Sequence, residues 1–330
     1  MPDPRPKVWV SQPLYDDIEA RLDHWFDVRR TPRVTDHAPE AIAAALADAD
    51  GALVTLNDRI GAAEVAAAAR LRAVASVGVG YDNLDVAALA ARGIIATNTP
   101  DVLTETTADF GFALMMAAAR RVTEAEHWLR AGRWQGWGFH ELLGAEIHGS
   151  TLGILGMGRI GQGIARRARG FGMRVLYHNR NRLPEAVERD CDATWMAREA
   201  LLAEADHLVL VLPYTAANHH IVDADALARM KPGATLTNIA RGGLVDEDAL
   251  ADALQSGRLA AAGLDVFEGE PAVNPRLAEC RNVVLTPHIA SATLSTRRAM
   301  VSLAVDNLVA AMGFGPDAGR PPNPVVPRSP

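Results

Sequence analysis

The sequence predicts an α/β protein of two domains, a Rossmann-type, doubly wound parallel sheet inserted into a smaller, flavodoxin-like parallel α/β domain. Three observations carry this reading. Residues 152–182 run as strand, Gly156-x-Gly158-x-x-Gly161 turn, helix and strand, the order of a dinucleotide-binding βαβ unit. Short apolar runs alternate with helical patterns on both sides of that stretch, as a parallel sheet with crossover helices requires. At 330 residues, the chain is also longer than one hydrophobic core usually supports.

In chain order, residues 8–10 read as the first strand and 15–25 as a helical stretch. Then come a helix over 41–49, a buried strand over 51–55, a helix over 62–69 and a strand over 71–76. The strand ends in Val77-Gly78-Val79-Gly80-Tyr81-Asp82. Ligands of open parallel sheets bind beyond the carboxyl ends of strands, and two glycines there expose backbone N–H groups. This loop suits a small carboxylate, although a plain strand-to-helix turn has the same appearance.

A short strand over 93–98 precedes a helix over 104–121, whose Phe110, Leu114, Met115 and Ala118 form a core face. Residues 122–149 show no clean period but contain Trp128, Trp134, Trp137 and Phe139. So aromatic an excursion either covers a site or docks on another subunit, and the docking reading is preferred.

Each glycine of the central motif has its own task. Gly156 permits the turn, Gly158 admits a pyrophosphate close to the backbone, and Gly161 lets helix and sheet approach. After the second strand, NAD sites usually carry an acid for the adenosine ribose. Here His178-Asn179-Arg180-Asn181-Arg182 contains none. A guanidinium holds a 2′-phosphate that a carboxylate would repel, so the stretch favours NADPH, with NADH possible. The alternative is a solvated, arginine-rich loop in a chain where arginine is abundant.

Strands over 208–212, 234–239 and 260–266 and helices over 224–230 and 247–256 continue the pattern. A final helix over 296–312 should return to the first domain. The domains expected are therefore 1–99 with 288–330 for substrate and 100–287 for the dinucleotide, with 122–149 as a dimerisation segment. From residue 315 the Pro- and Gly-rich tail should be extended and weakly ordered.

Composition narrows the function classes. Hydrophobic residues at 49% and charged residues at 22% describe an ordinary globular chain. A net charge of −7 argues against nucleic acid. No run of 18 apolar residues suggests a membrane span, and residues 1–10 lack the apolar core of a signal peptide. Cys191 and Cys280 have no metal-ligand spacing, so a cytoplasmic protein without a metal is expected. His219 and His220 are read as polar loop residues, because adjacent residues do not share a helical face.

Three later segments complete the picture. They are Asn238-Ile239-Ala240-Arg241-Gly242-Gly243, Asp265-Val266-Phe267-Glu268-Gly269-Glu270-Pro271 and Thr286-Pro287-His288-Ile289-Ala290-Ser291. With the glycine motif, they resemble the D-isomer-specific 2-hydroxyacid dehydrogenases, in particular their glyoxylate and hydroxypyruvate reductase branch, over almost the whole chain. The resemblance implies catalytic roles for Arg241, Glu270 and His288. It also implies pyrophosphate contacts at Gly158, Arg159, Ile160 and Gly161, and 2′-phosphate contacts at Asn179, Arg180 and Arg182. Thr107, Ile239, Ala240 and Asp265 would lie near the nicotinamide, and the Val79 and Gly80 N–H groups would meet a substrate carboxylate beside Arg241 and His288. The implied activity is NADPH-dependent reduction of a small 2-keto acid by a homodimer. A bulkier acid of the 2-ketogluconate or phenylpyruvate type is the alternative, and a dinucleotide-sensing, corepressor-like scaffold a minor one. Ala290 departs from the glycine frequent in the family.

Overall fold

The computed structural model describes residues 5–32 and 37–326. Its contacts divide the chain into two compact units, Met1–Leu103 with Ala292–Pro330, and Thr104–Ser291.

The first unit alternates strand and helix as β1 (Lys7–Val10), α1 (Asp16–Glu19), β2 (Asp27–Arg30), α2 (Pro39–Ala47), β3 (Gly51–Val54), α3 (Ala62–Ala67), β4 (Ala73–Ser76), α4 (Val86–Ala91) and β5 (Ile95–Thr97). The strands pair in parallel in the order β2-β1-β3-β4-β5, which is the flavodoxin-like arrangement expected. β3 and β4 are buried at every position, which explains their unbroken apolar runs. Where one helix was expected over 15–25, α1 is followed by a separate 3-10 turn, Leu22–His24. β2 and α4 were not anticipated. β2 is an edge strand with little burial, and its sequence, DVRR, therefore carries no apolar alternation.

The second unit opens with α5 (Thr104–Ala119) and α6 (Val122–Arg130), separated by Arg121 in the left-handed region at φ 52°. No residue of α6 is buried, so this helix left no core stripe in the sequence. There follow β6 (Thr151–Leu155), α7 (Arg159–Arg169), β7 (Arg174–His178), α8 (Glu185–Cys191), β8 (Ala193–Trp195), α9 (Arg198–Glu204) and β9 (His207–Leu210). The unit closes with α10 (Ala224–Arg229), β10 (Thr235–Asn238), α11 (Glu247–Gln255), β11 (Ala261–Leu264), α12 (Pro275–Glu279) and β12 (Val283–Leu285). The order β12-β11-β10-β9-β6-β7-β8, all parallel, is the doubly wound Rossmann arrangement. Its strand order reverses between β6 and β9, where such sheets bind nucleotides.

The chain then returns to the first unit. The Thr293 side chain caps α13 (Leu294–Ala311), which lies against β3, β4 and β5. A Cβ on Gly51 of β3 would stand 3.1 Å from Met312 Sδ, so the approach is close. The described part of the tail is neither extended throughout nor loose: residues 316–319 form a turn, with the Gly319 N–H donating to the Ala310 carbonyl at 2.8 Å. Asn307 Oδ1 accepts from the Asn323 N–H at 2.9 Å, and β13 (Pro324–Val325) adds antiparallel to the edge of β5. The rest of the tail, 327–330, lies outside the described residues. Among the described residues no helix is long and apolar enough to cross a membrane.

Candidate active site

β6 ends where the chain must turn sharply. Gly156 has φ +100°, and a Cβ there would stand 2.6 Å from the Leu212 nitrogen; only glycine meets both conditions. A Cβ on Gly161 would stand 2.5 Å from the Gly156 oxygen, so α7 lies hard against the turn it leaves. Gly158 differs, because at φ −78° its added Cβ would meet no protein atom within 4 Å. It precedes a helix that begins with Arg159 and Ile160, has no acid in its first turn and carries Arg166, Arg167 and Arg169 in its last. That N-terminal dipole is left for an anion, and the open space over Gly158 fits a pyrophosphate.

The loop after β7 is tied to this turn. Asn179 Oδ1 accepts from the Met157 N–H at 2.7 Å, which leaves the amide NH2 as a donor where an Asp would offer acceptors alone. Arg180 is exposed and makes no ion pair among the described residues. Arg182, expected at the phosphate, is instead engaged by Glu188, with Nε at 2.9 Å and a terminal nitrogen at 2.7 Å. Tyr177 donates to the same carboxylate at 2.7 Å and accepts from the Leu183 N–H at 2.9 Å. Burial, followed by the bond to Glu188, pushes the phenol up to about 12, while Arg182 and then Tyr177 hold Glu188 below the usual carboxylate range. Glu188 lies beyond residues 178–182, and the α8 crossover brings it back to them.

On the other side of the motif, Ile239 follows β10 and reaches α5. A Cβ on Gly111 would stand 2.6 Å from Ile239 Cδ1, and Thr107 lies one turn earlier on the same helix. The Thr107 hydroxyl is buried without a partner, a state that buried polar groups rarely keep; a cofactor amide or hydroxyl would satisfy it. Ala240 is buried beside Ile239. Asp265, expected to face the nicotinamide, has no exposed surface. Its Oδ1 accepts from Thr286 Oγ1 at 2.7 Å and the Ile289 N–H at 2.8 Å, and its Oδ2 from the Ala290 N–H at 2.8 Å. Burial pushes this carboxyl up, against the pull of those donors and of His288. Asp265 therefore builds the turn that carries His288 rather than presenting a ligand atom to a cofactor.

That turn is unusual. His288 is non-glycine at φ 52°, a conformation that persists where the surroundings impose it. Its N–H donates to the Asp265 carbonyl at 2.9 Å, and its Nδ1 is 2.8 Å from Glu270 Oε2. Glu270 Oε1 accepts from the Phe267 N–H at 2.9 Å, so both carboxylate oxygens are fixed. Burial raises the Glu270 carboxyl, but His288, the Phe267 N–H and the charge of Arg241 together bring it below its ordinary value. With Nδ1 held, Nε2 is the nitrogen left to meet a substrate.

The Arg241 loop is set by Asn238 at the end of β10. The Asn238 amide accepts from the Ala240 N–H at 3.0 Å and donates to the Arg241 carbonyl at 2.8 Å. Gly242 then packs where a Cβ would stand 1.9 Å from the Phe267 carbonyl carbon. The three sequence-predicted residues are thereby brought to one cluster of strand ends, after β10, β11 and β12. Asn238 and the structural part played by Asp265 escaped the sequence reading, since a polar residue at a strand end carries no signal of which backbone it will hold.

Residues 112–290 match the sequence profile of the D-isomer specific 2-hydroxyacid dehydrogenase NAD binding domain. The chain belongs to this family. It is therefore an NAD(P)-dependent oxidoreductase, as the sequence resemblance implied. Glyoxylate reductase of Thermococcus kodakarensis is 45% identical over 310 residues, 93% of each chain. Glyoxylate/hydroxypyruvate reductase B of Pectobacterium atrosepticum is 46% identical over 93% of this chain and 95% of its own. Among solved structures, NADPH-dependent glyoxylate/hydroxypyruvate reductase of Sinorhizobium meliloti, in complex with NADP and malonate, superposes with a TM-score of 0.85. It is 39% identical, with 97% of each chain covered.

Two further regions carry residues singled out in the sequence. In the first unit, the loop after β4 holds Val79 and Gly80 with Asn98 Nδ2 donating to the Val79 carbonyl at 2.8 Å. Among the described residues no acceptor meets the N–H of Val79 or of Gly80. In the second unit, His219 and His220 converge after all. They lie in a loop, His220 at φ 50°, with rings stacked 3.8 Å apart beside Glu268. The helical-face argument fails here because there is no helix.

Proposed function

We propose that the chain reduces a small 2-keto acid, glyoxylate to glycolate and hydroxypyruvate to D-glycerate, with NADPH preferred over NADH. The observation that carries this reading is the His288 and Glu270 pair, pinned by Asp265 and adjoined by the Arg241 loop. Bound NADPH supplies the hydride. Arg241 binds the substrate carboxylate and polarises the ketone as negative charge grows on its oxygen. His288 donates the proton of Nε2 to that oxygen, and Glu270 holds Nδ1–H and stabilises the imidazolium beforehand. The N–H groups of Val79 and Gly80 donate to the carboxylate. Gly158, Arg159, Ile160 and Gly161 take the pyrophosphate, Thr107, Ile239 and Ala240 the nicotinamide, and Asn179 with Arg180 the 2′-phosphate. The unit built on β1 to β5 is assigned to substrate and the unit built on β6 to β12 to the dinucleotide. The relatives' names as glyoxylate and hydroxypyruvate reductases, and the NADP in the Sinorhizobium meliloti complex, support the reading.

Steady-state assays test it, with glyoxylate, hydroxypyruvate, 2-ketogluconate and phenylpyruvate each crossed with NADPH and NADH. The two small acids with NADPH are expected to give the highest kcat/KM. Turnover of none of the four overturns the enzyme assignment, faster oxidation of NADH overturns the cofactor preference, and a higher kcat/KM for a bulky acid moves the substrate class. His288→Gln is expected to lower kcat by about 10²- to 10⁴-fold while NADPH still binds.

A further inference from the structure

His219, His220 and Glu268 form a cluster that the proposed reaction does not use. One nitrogen of each imidazole and one carboxylate oxygen lie within 4.8 Å of one another. His220 Nε2 is 2.9 Å from Glu268 Oε2, and His219 Nε2 is 4.0 Å from Glu268 Oε1. An ion pair between His220 and Glu268 accounts for two of the three groups and leaves the His219 nitrogen aimed at the same carboxylate without a bond to it. At its other end, His219 Nδ1 is 3.2 Å from the Tyr214 hydroxyl.

The three side chains stand on fixed backbone. The His220 N–H donates to the Gly243 carbonyl at 2.9 Å, and the Glu268 N–H to the buried Glu247 carboxylate at 2.7 Å. A Cβ on Gly243 would stand 2.9 Å from the Tyr214 ring, so Tyr214 and His219 sit directly over that glycine. All three side chains remain open to solvent, at 43%, 32% and 45% exposure for His219, His220 and Glu268.

We propose that His219, His220 and Glu268 bind one divalent transition-metal ion of the zinc type. Two imidazoles and a carboxylate are a donor set for zinc, cobalt, nickel or copper and a poor one for magnesium or calcium, which take oxygen ligands. A tetrahedral ion with bonds of about 2.0–2.1 Å needs its ligand atoms roughly 3.3 Å apart. Rotation of exposed side chains closes the present spacing to that value, and water takes the fourth position. Tyr214 then accepts from His219 Nδ1–H and orients the ring, in the place that a carboxylate, backbone carbonyl or water takes beside most metal-bound histidines. The ion fastens the segment 214–220 to the loop at Glu268, beside the backbone that carries Arg241 and Glu270.

The test uses the full chain without an affinity tag, stripped by chelator and titrated with Zn²⁺ by calorimetry and with Co²⁺ by visible absorption. One equivalent is expected to bind, with the intense absorption of tetrahedral cobalt and a rise in the thermal midpoint on adding Zn²⁺. His220→Gln and Glu268→Gln are expected to weaken binding by at least about tenfold, and Tyr214→Phe by about tenfold. Midpoints without metal and retained NADPH binding show that the variants fold. Absence of one-equivalent binding overturns the proposal, as does binding unchanged in a His219→Gln, His220→Gln double variant. Neither measurement depends on turnover, so its outcome is separate from that of the proposed reduction.

Discussion

At the scale of single residues, the site depends as much on groups that hold backbone as on groups that meet substrate. Asp265 is the clearest case. Its two oxygens accept three bonds from the turn that presents His288, and asparagine offers one acceptor oxygen in their place. Asp265→Asn is expected to destabilise the fold by about 1–3 kcal/mol, the cost of a buried N–H left facing a donor. It should also lower kcat more than it raises the KM for NADPH, because Asp265 has no surface with which to touch a cofactor. Urea unfolding and steady-state kinetics on the same preparation check both. A higher KM for NADPH at unchanged kcat would instead restore Asp265 as a cofactor contact.

At the scale of elements, two glycines of the one turn between β6 and α7 look alike in sequence and differ in physics. Gly156→Ala forces a side chain into the left-handed region against Leu212 and is expected to cost roughly 1–3 kcal/mol in thermal or urea unfolding. Gly158→Ala meets only open space, so its unfolding midpoint should stay unchanged or rise slightly while NADPH affinity falls on the order of tenfold. Unimpaired cofactor binding in Gly158→Ala would remove the pyrophosphate from that space. β9 carries a second test. His207 is fully buried, with Nε2 2.9 Å from the Glu146 carbonyl and Nδ1 2.8 Å from Thr235 Oγ1. Burial lowers its pKa, against the pull of the Glu146 carbonyl and of Asp206. The unfolded chain then binds the proton more readily, so stability falls as pH drops through the unfolded value near 6.5. Urea midpoints at pH 7.5 and 5.5 should show this loss in the native chain and less of it in His207→Gln.

At the scale of the molecule, the segment 122–149 leaves Trp134, Trp137, Phe139 and Leu143 exposed at 56%, 79%, 75% and 63%. Trp137 and Phe139 pack edge to face on that surface, in the segment where the sequence reading expects a homodimer interface. Sedimentation of the native chain is expected to give the mass of two chains and Trp137→Asp, Phe139→Asp the mass of one; a native monomer at working concentration would count against that expectation. The sequence by itself determined the two parallel sheets, the glycine turn and the strand ends that carry Arg241, Glu270 and His288. Parallel strands bury both faces and so write themselves as apolar runs, and a backbone at φ +100° admits little but glycine. Short or exposed elements such as β2, α6 and α8 left no comparable trace, since they bury too little to impose a period. Only the tertiary structure decided what each polar side chain holds. It turned Arg182 to Glu188 and closed Asp265 over the 286–290 turn, and it brought two adjacent histidines to Glu268. Hydrogen bonds of that kind join residues distant in sequence, and their partners are fixed by the packing of the elements rather than by any local pattern.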